Sequence, residues 1–105
     1  MNLIKVSATS RTAAVAGAIA GVFRQHQRAE VQAIGAGAVN QAVKALILAT
    51  GYLRLDGIQV CFVPEFAEVT IEDKVRTAIK LTVEPTQTTA ISEVPALPDQ
   101  EMLGG

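Results

Sequence analysis

A chain of 105 residues, half of them apolar, has room for one modest hydrophobic core and no second domain. A formal charge of −1 at pH 7, four aromatic residues and a lone cysteine exclude a strongly basic nucleic-acid binder, a base-stacking aromatic platform and an internally disulfide-bonded scaffold. The charge is unevenly spread: residues 1–86 hold all nine Lys and Arg against seven acids, and the remainder carries three acids and no base.

In chain order, "LIKVS" alternates with period two and predicts a first strand. The following "ATSRTAAVAGAIAGVFRQH" switches to helical spacing, with Val15, Ile19, Val22 and Phe23 on one stripe and Thr9 or Ser10 available as N-cap. Gly17 and Gly21 in that helix each cost about 1 kcal/mol relative to alanine, so they are expected where the second helix or another subunit packs closely. "EVQAI" predicts a second strand, and Val39, Val43, Leu46 and Ile47 repeat the helical stripe. The second strand-to-helix connection is tighter than the first by about three residues, and Gly35 and Gly37 permit the positive φ or close backbone approach this demands. Gly51 suits the end of the second helix. Two strands, "GIQVCFVPEFA" and "VRTAIKLTVEP", then follow, joined by a partly acidic arm around Glu68 to Lys74. Residues 87–105, with two prolines, two closing glycines and no periodicity, are expected to be a disordered acidic tail, which leaves residues 1–86 as the folded domain.

The order βαβαββ predicts an α+β two-layer sandwich, within the broad α/β class. Right-handed crossovers place both helices on one face of a four-stranded mixed sheet. Ile4, Val6, Ile79, Leu81 and Val83 should face the helices. Lys5, Ser7, Arg76, Lys80 and Thr82 should look out from an open, polar, somewhat cationic face. The longest apolar stretch in helix-like sequence, Thr12 to Phe23, falls short of the roughly 20 residues of a membrane span. The first ten residues lack the pattern of a secretory signal, so a cytoplasmic protein without membrane contact is expected.

The glycine turn is where chemistry is most readable. Gly35 and Gly37 are followed by Asn40 where a dinucleotide fingerprint needs a third glycine, and no lysine stands at P-loop spacing. Yet Asn40, Gln41 and Lys44 share an arc of roughly 100° just beyond the turn, and Arg11 enters the first helix from the neighbouring strand end. These residues fit a space-saving turn with a solvated polar stripe, contact with a phosphate backbone, or a small phosphorylated ligand. Catalysis finds little support. His26 reads as a surface residue, Cys61 as a buried structural thiol, and Glu65, Glu68, Glu72 and Asp73 as a solvated loop, so neither an enzyme nor a cofactor or metal is expected.

The segments "LIKVSATS", "VAGAIAG", "EVQAIGAGAVNQAVKALILATGYL" and "RTAIKLTVEP" resemble the stage V sporulation protein S (SpoVS) family, and they span nearly all of residues 1–86. The resemblance implies a role in sporulation or developmental regulation. It also implies a structure like the Alba superfamily, whose βαβαββ chains commonly dimerise and bind DNA or RNA. By position, the superfamily's nucleic-acid contacts fall on Gly35, Ala36, Gly37, Asn40, Gln41 and Lys44, with Arg11 at the first helix. Where such proteins use a basic hairpin arm, this one carries acids around Val69 to Lys74. The combined expectation is a non-enzymatic regulatory homodimer that binds nucleic acid weakly, through its phosphate backbone. Arg11, Lys44, Lys80 and Lys5 would together neutralise about three phosphates per chain, for a log–log salt slope near −3. The rival expectation is a protein–protein assembly module in a developmental pathway, with no nucleic acid involved.

Overall fold

The computed structural model describes residues 3–86; the tail expected at 87–105 lies outside them. The elements are β1 (Leu3–Val6), α1 (Thr12–His26), β2 (Ala29–Ala33), α2 (Ala36–Leu55), β3 (Val60–Ile71) and β4 (Lys74–Pro85). They build one four-stranded sheet in the order β1-β2-β4-β3. β1 and β2 are parallel, while β4 runs antiparallel to both β2 and β3, so the sheet is mixed as expected. The connections also match: five residues link β1 to α1 and two link β2 to α2.

One cluster joins both helices to the inner face of β1, β2 and β4. Phe23, Ile19, Leu53, Val31 and Val83 are its largest fully buried side chains. Around them lie Ala16 and Ala20 of α1 and Ala38, Ala42, Ala45 and Ala49 of α2, small enough to let the helices approach closely. Here α2 departs from the expected stripe. Leu46 is buried and Val39 partly so, but Val43 and Ile47 are exposed, because the alanine face turns inward and rotates the helix by roughly 100° from the Val/Leu/Ile reading. Size misled the eye where closeness was being selected.

Several local expectations need correction. Gly51 does not end α2: the helix continues to Leu55 and stops at Gly57, whose φ of +77° and N–H bond to the Arg54 carbonyl (2.8 Å) close the last turn. Neither Thr9 nor Ser10 caps α1. The Ser10 hydroxyl instead accepts from the Ser7 N–H at 2.9 Å, closing the loop on itself and leaving Arg11 at the N-cap without a side-chain cap bond. Gly17 and Gly21 are exposed, and an added Cβ would meet nothing within 4 Å at either, so α2 is not the close neighbour foreseen for them. Replacing both with alanine is therefore expected to stabilise the protein by about 1 kcal/mol each in urea unfolding. A loss of stability would show that something outside this chain packs on that stripe.

The acidic arm is no loop. β3 and β4 stay paired from Val60↔Pro85 to Ile71↔Lys74, and Glu72 and Asp73 make the two-residue turn with φ of 51° and 65°, the left-handed values a tight hairpin of this length needs. Glu65 lies within β3 and pairs with Lys80, with Oε2 3.4 Å from Nζ. Cys61 is exposed rather than buried: it alternates onto the face of edge strand β3 that no helix covers. On the same outer face, Thr82 and Ala78 of β4 are buried at 3% and 1% exposure, so the face is less open than its polarity implied. His26 is exposed, as expected. No helix among the described residues is long and apolar enough to cross a membrane.

Candidate nucleic-acid interface

Parallel pairing of β1 and β2 brings the start of α1 and the start of α2 to the same end of the sheet. Two contacts lock these helix ends together. A Cβ on Gly37 would stand only 3.0 Å from the Ala8 Cβ, so the β1–α1 loop sits against the first turn of α2 because residue 37 has no side chain. One turn on, the Gln41 Nε2 donates to the Ser10 carbonyl at 2.8 Å. The two glycines thus have separate tasks: Gly35 supplies the positive φ (+95°) at the N-cap, and Gly37 the close approach.

Neither helix start is capped. Among the described residues no side chain bonds into either first turn, and neither first turn holds an acid. The first intrahelical bonds are Val15 N–H to the Arg11 carbonyl and Val39 N–H to the Gly35 carbonyl, both 3.0 Å. The amides ahead of them have no acceptor among the described residues, and Gly35, Ala36 and Gly37 are exposed. Two helix dipoles therefore present their positive ends side by side to solvent.

The side chains reinforce that polarity. Asn40 and Lys44 are exposed on α2, on the arc that includes Gly37 and Gln41. Helical side chains lean toward the N-terminus, so the Lys44 side chain leans in the direction of the turn. Neither Lys44 nor Arg11, also exposed, has an ion-pair partner among the described residues. At the opposite end of the sheet two of the three arginines are paired: Arg24 Nε lies 2.8 Å from Asp56 Oδ2, and Arg28 reaches Glu30 and Glu84 at 3.2 and 3.3 Å, while Arg54 in the last turn of α2 has no ion-pair partner among the described residues. Among the described residues, free helix-start amides and free cations come together at the corner where α1 and α2 begin.

Of the residues singled out from the sequence, Arg11, Gly35, Ala36, Gly37, Asn40, Gln41 and Lys44 gather at this corner. Gln41 does so as the tether to Ser10, with its amide nitrogen engaged. Lys80 lies apart, in mid-sheet opposite Gln32, and its charge is met by Glu65. The β1–α1 loop is the part that sequence reasoning missed. Its signal was "SATS", whose three hydroxyls bond among themselves around Ala8, as in the 3.2 Å contacts of Ser7 Oγ with Thr9 Oγ1 and Ser10 Oγ.

No three His, Cys, Asp or Glu side chains among the described residues converge as a metal site would require. What the fold and this corner define is a small α+β domain with an electropositive edge made chiefly of backbone. The family model for stage V sporulation protein S (SpoVS) matches residues 2–86, and the chain belongs to that family. It is thus a sporulation-related protein.

Proposed function

We propose that the protein is a non-enzymatic regulator that holds DNA or RNA by its phosphates at the corner formed by the starts of α1 and α2. The observation that carries this reading is the pair of uncapped, acid-free helix starts flanked by Arg11 and Lys44, which have no ion-pair partner among the described residues. Backbone amides of this kind suit phosphate oxygens and carry no base code, so the reading is of positioning rather than sequence readout. The likeness to Alba-type βαβαββ chains supports it.

Two features keep the interaction weak. Lys80 is paired with Glu65, so Arg11 and Lys44 are the cations at the corner, and the hairpin tip, where Glu68, Glu72 and Asp73 outnumber Lys74 and Arg76, adds no net attraction for a polyanion that spreads beyond it. The expected log–log salt slope is therefore nearer −2 per chain than −3. Titration of duplex DNA and single-stranded RNA at several salt concentrations tests this. Binding at low salt with that slope supports the reading, and no binding at low salt overturns it.

The chain as a homodimer belongs to the same proposal. Ile47 and Leu55 on α2 are 62% and 87% exposed, and Phe66 and Val75 on the hairpin 77% and 64%. Apolar side chains of that size in such number favour a partner surface, and a dimer would double the salt slope per particle. The same residues are what favours the second reading, an assembly module that recruits other proteins without nucleic acid. Partners captured from lysate that survive nuclease treatment would favour it over the first.

A further inference from the structure

The outer face of the sheet contains a cavity of about 340 Å³, near the small end of the range typical of small-molecule sites. Its lining joins strands from opposite edges of the sheet. Lys5 comes from β1, and Val69 and Ile71 from the arm of β3, although β2 and β4 separate those strands in the sheet order. The twisted hairpin therefore folds back across the face it was expected to leave open. Gln32, the register partner of Lys5, and Ile34, one step before the glycine turn, complete the part that matters.

Ser7, which also lines this cavity, is engaged by Thr9 and Ser10, but the cavity's lysine and amide side chains are not engaged among the described residues. The cross-sheet row runs Lys5–Gln32–Lys80–Glu65. Lys80 is met by Glu65, whereas Lys5 has no ion-pair partner and the Gln32 amide no hydrogen bond among the described residues. The row thus holds one more cation than carboxylate. Its surplus charge sits at the end that lines the cavity. The rest of the lining is mostly aliphatic, with Ile34, Val69 and Ile71 its largest side chains and Ser7 and Thr70 adding hydroxyls, so the site offers no ring for a base or other aromatic group to stack upon.

We propose that this cavity binds a small organic anion. Its acid group sits on the Lys5 ammonium and accepts from the Gln32 amide, and a short branched hydrocarbon body lies against Ile34, Val69 and Ile71. Charge, a directional donor and aliphatic walls converge there as they do in small-ligand pockets generally. The cavity adjoins the corner through Ser7 and Ala8 of the β1–α1 loop, but no residue of either helix start lines it, and it does not require the nucleic-acid reading.

The test uses the full chain with ¹⁵N-labelled side-chain amides and ¹³C-labelled isoleucine methyls, titrated with isovalerate, with 3-methylbutyl phosphate and with inorganic phosphate. Saturable shifts at the Gln32 amide and at the Ile34 and Ile71 methyls are expected with one or both organic acids, in the millimolar range. The tighter of the two distinguishes a carboxylate from a phosphate ligand. Lys5→Gln, an exposed substitution that leaves folding intact, should raise the half-saturation concentration about tenfold or more. Phe66→Ser, outside the cavity, should leave it unchanged. The proposal is overturned if neither acid gives saturable shifts, if Lys5→Gln binds as well as the parent, or if inorganic phosphate alone reproduces the full pattern.

Discussion

Lys44→Glu should lower affinity for duplex DNA and for single-stranded RNA by about one to two orders of magnitude at low salt, and flatten the salt slope by about one. The size of the effect follows from what surrounds the residue. Lys44 is exposed and has no carboxylate partner among the described residues, so the change removes a phosphate contact and puts a repelling charge beside the two positive helix ends. Unfolding free energy should move by no more than about 0.5 kcal/mol, because an exposed, unpaired side chain contributes little to the fold. Reversal at Arg28, already held by Glu30 and Glu84 at the far end of the sheet, should disturb ion pairing there and leave binding near the parent value. Equal losses at Lys44 and Arg28 would mean that net charge matters and the corner does not. Gel-shift or anisotropy titrations of both variants decide between those outcomes.

Phe23→Ala should cost about 3–5 kcal/mol in chemical denaturation, the largest effect expected of any single truncation in the domain. Phe23 is 0% exposed and heads the largest fully buried side chains. It shares one buried cluster with the alanines of both helices, which have little side chain with which to close a cavity. A domain of this size is typically stable by about 5–15 kcal/mol, so the variant should be marginal or unfolded at physiological temperature. A cost below about 1 kcal/mol would show that the alanine-lined interface collapses around the gap, and the close packing inferred for α1 and α2 would have to be given up.

Much of the fold was legible because two periodicities alternate cleanly along the chain. Val6, Val31, Leu81 and Val83 fall on the buried side as strict alternation demands, and Ile19 and Phe23 as helical spacing demands. Alternation could not show that the hairpin remains paired to its tip, because Glu68, Glu72 and Asp73 have the composition of a loop. The positive φ that a two-residue turn needs is held here by Glu72 and Asp73, without a glycine to announce it. The register of α2 was hidden for a different reason: hydrophobic size pointed to Val43 and Ile47, whereas close helix contact selected Ala42, Ala45 and Ala49.

The corner was partly legible. Gly35 and Gly37 marked it, and Asn40, Gln41 and Lys44 fell on one arc by spacing alone. What spacing could not supply was which polar groups are already engaged. Gln41 is bonded to Ser10, Lys80 is balanced by Glu65, and Ser10 turns back to Ser7 instead of capping α1. Each of these is a contact between groups apart in the sequence or within one loop, which only the folded chain brings together. The outcome sharpens the corner, since the cap that stays absent leaves its amides open to a ligand.

Amide chemical shifts at the helix starts test this most directly, by titrating a short oligonucleotide into ¹⁵N-labelled protein at low salt. The account predicts that the backbone amides of Ala36 and Gly37, with those of Thr12 and Ala13 beside them, move most and recover as salt is raised. Perturbations confined to the hairpin, to the outer sheet face or to the helix C-termini, with residues 36 and 37 unmoved, would contradict it.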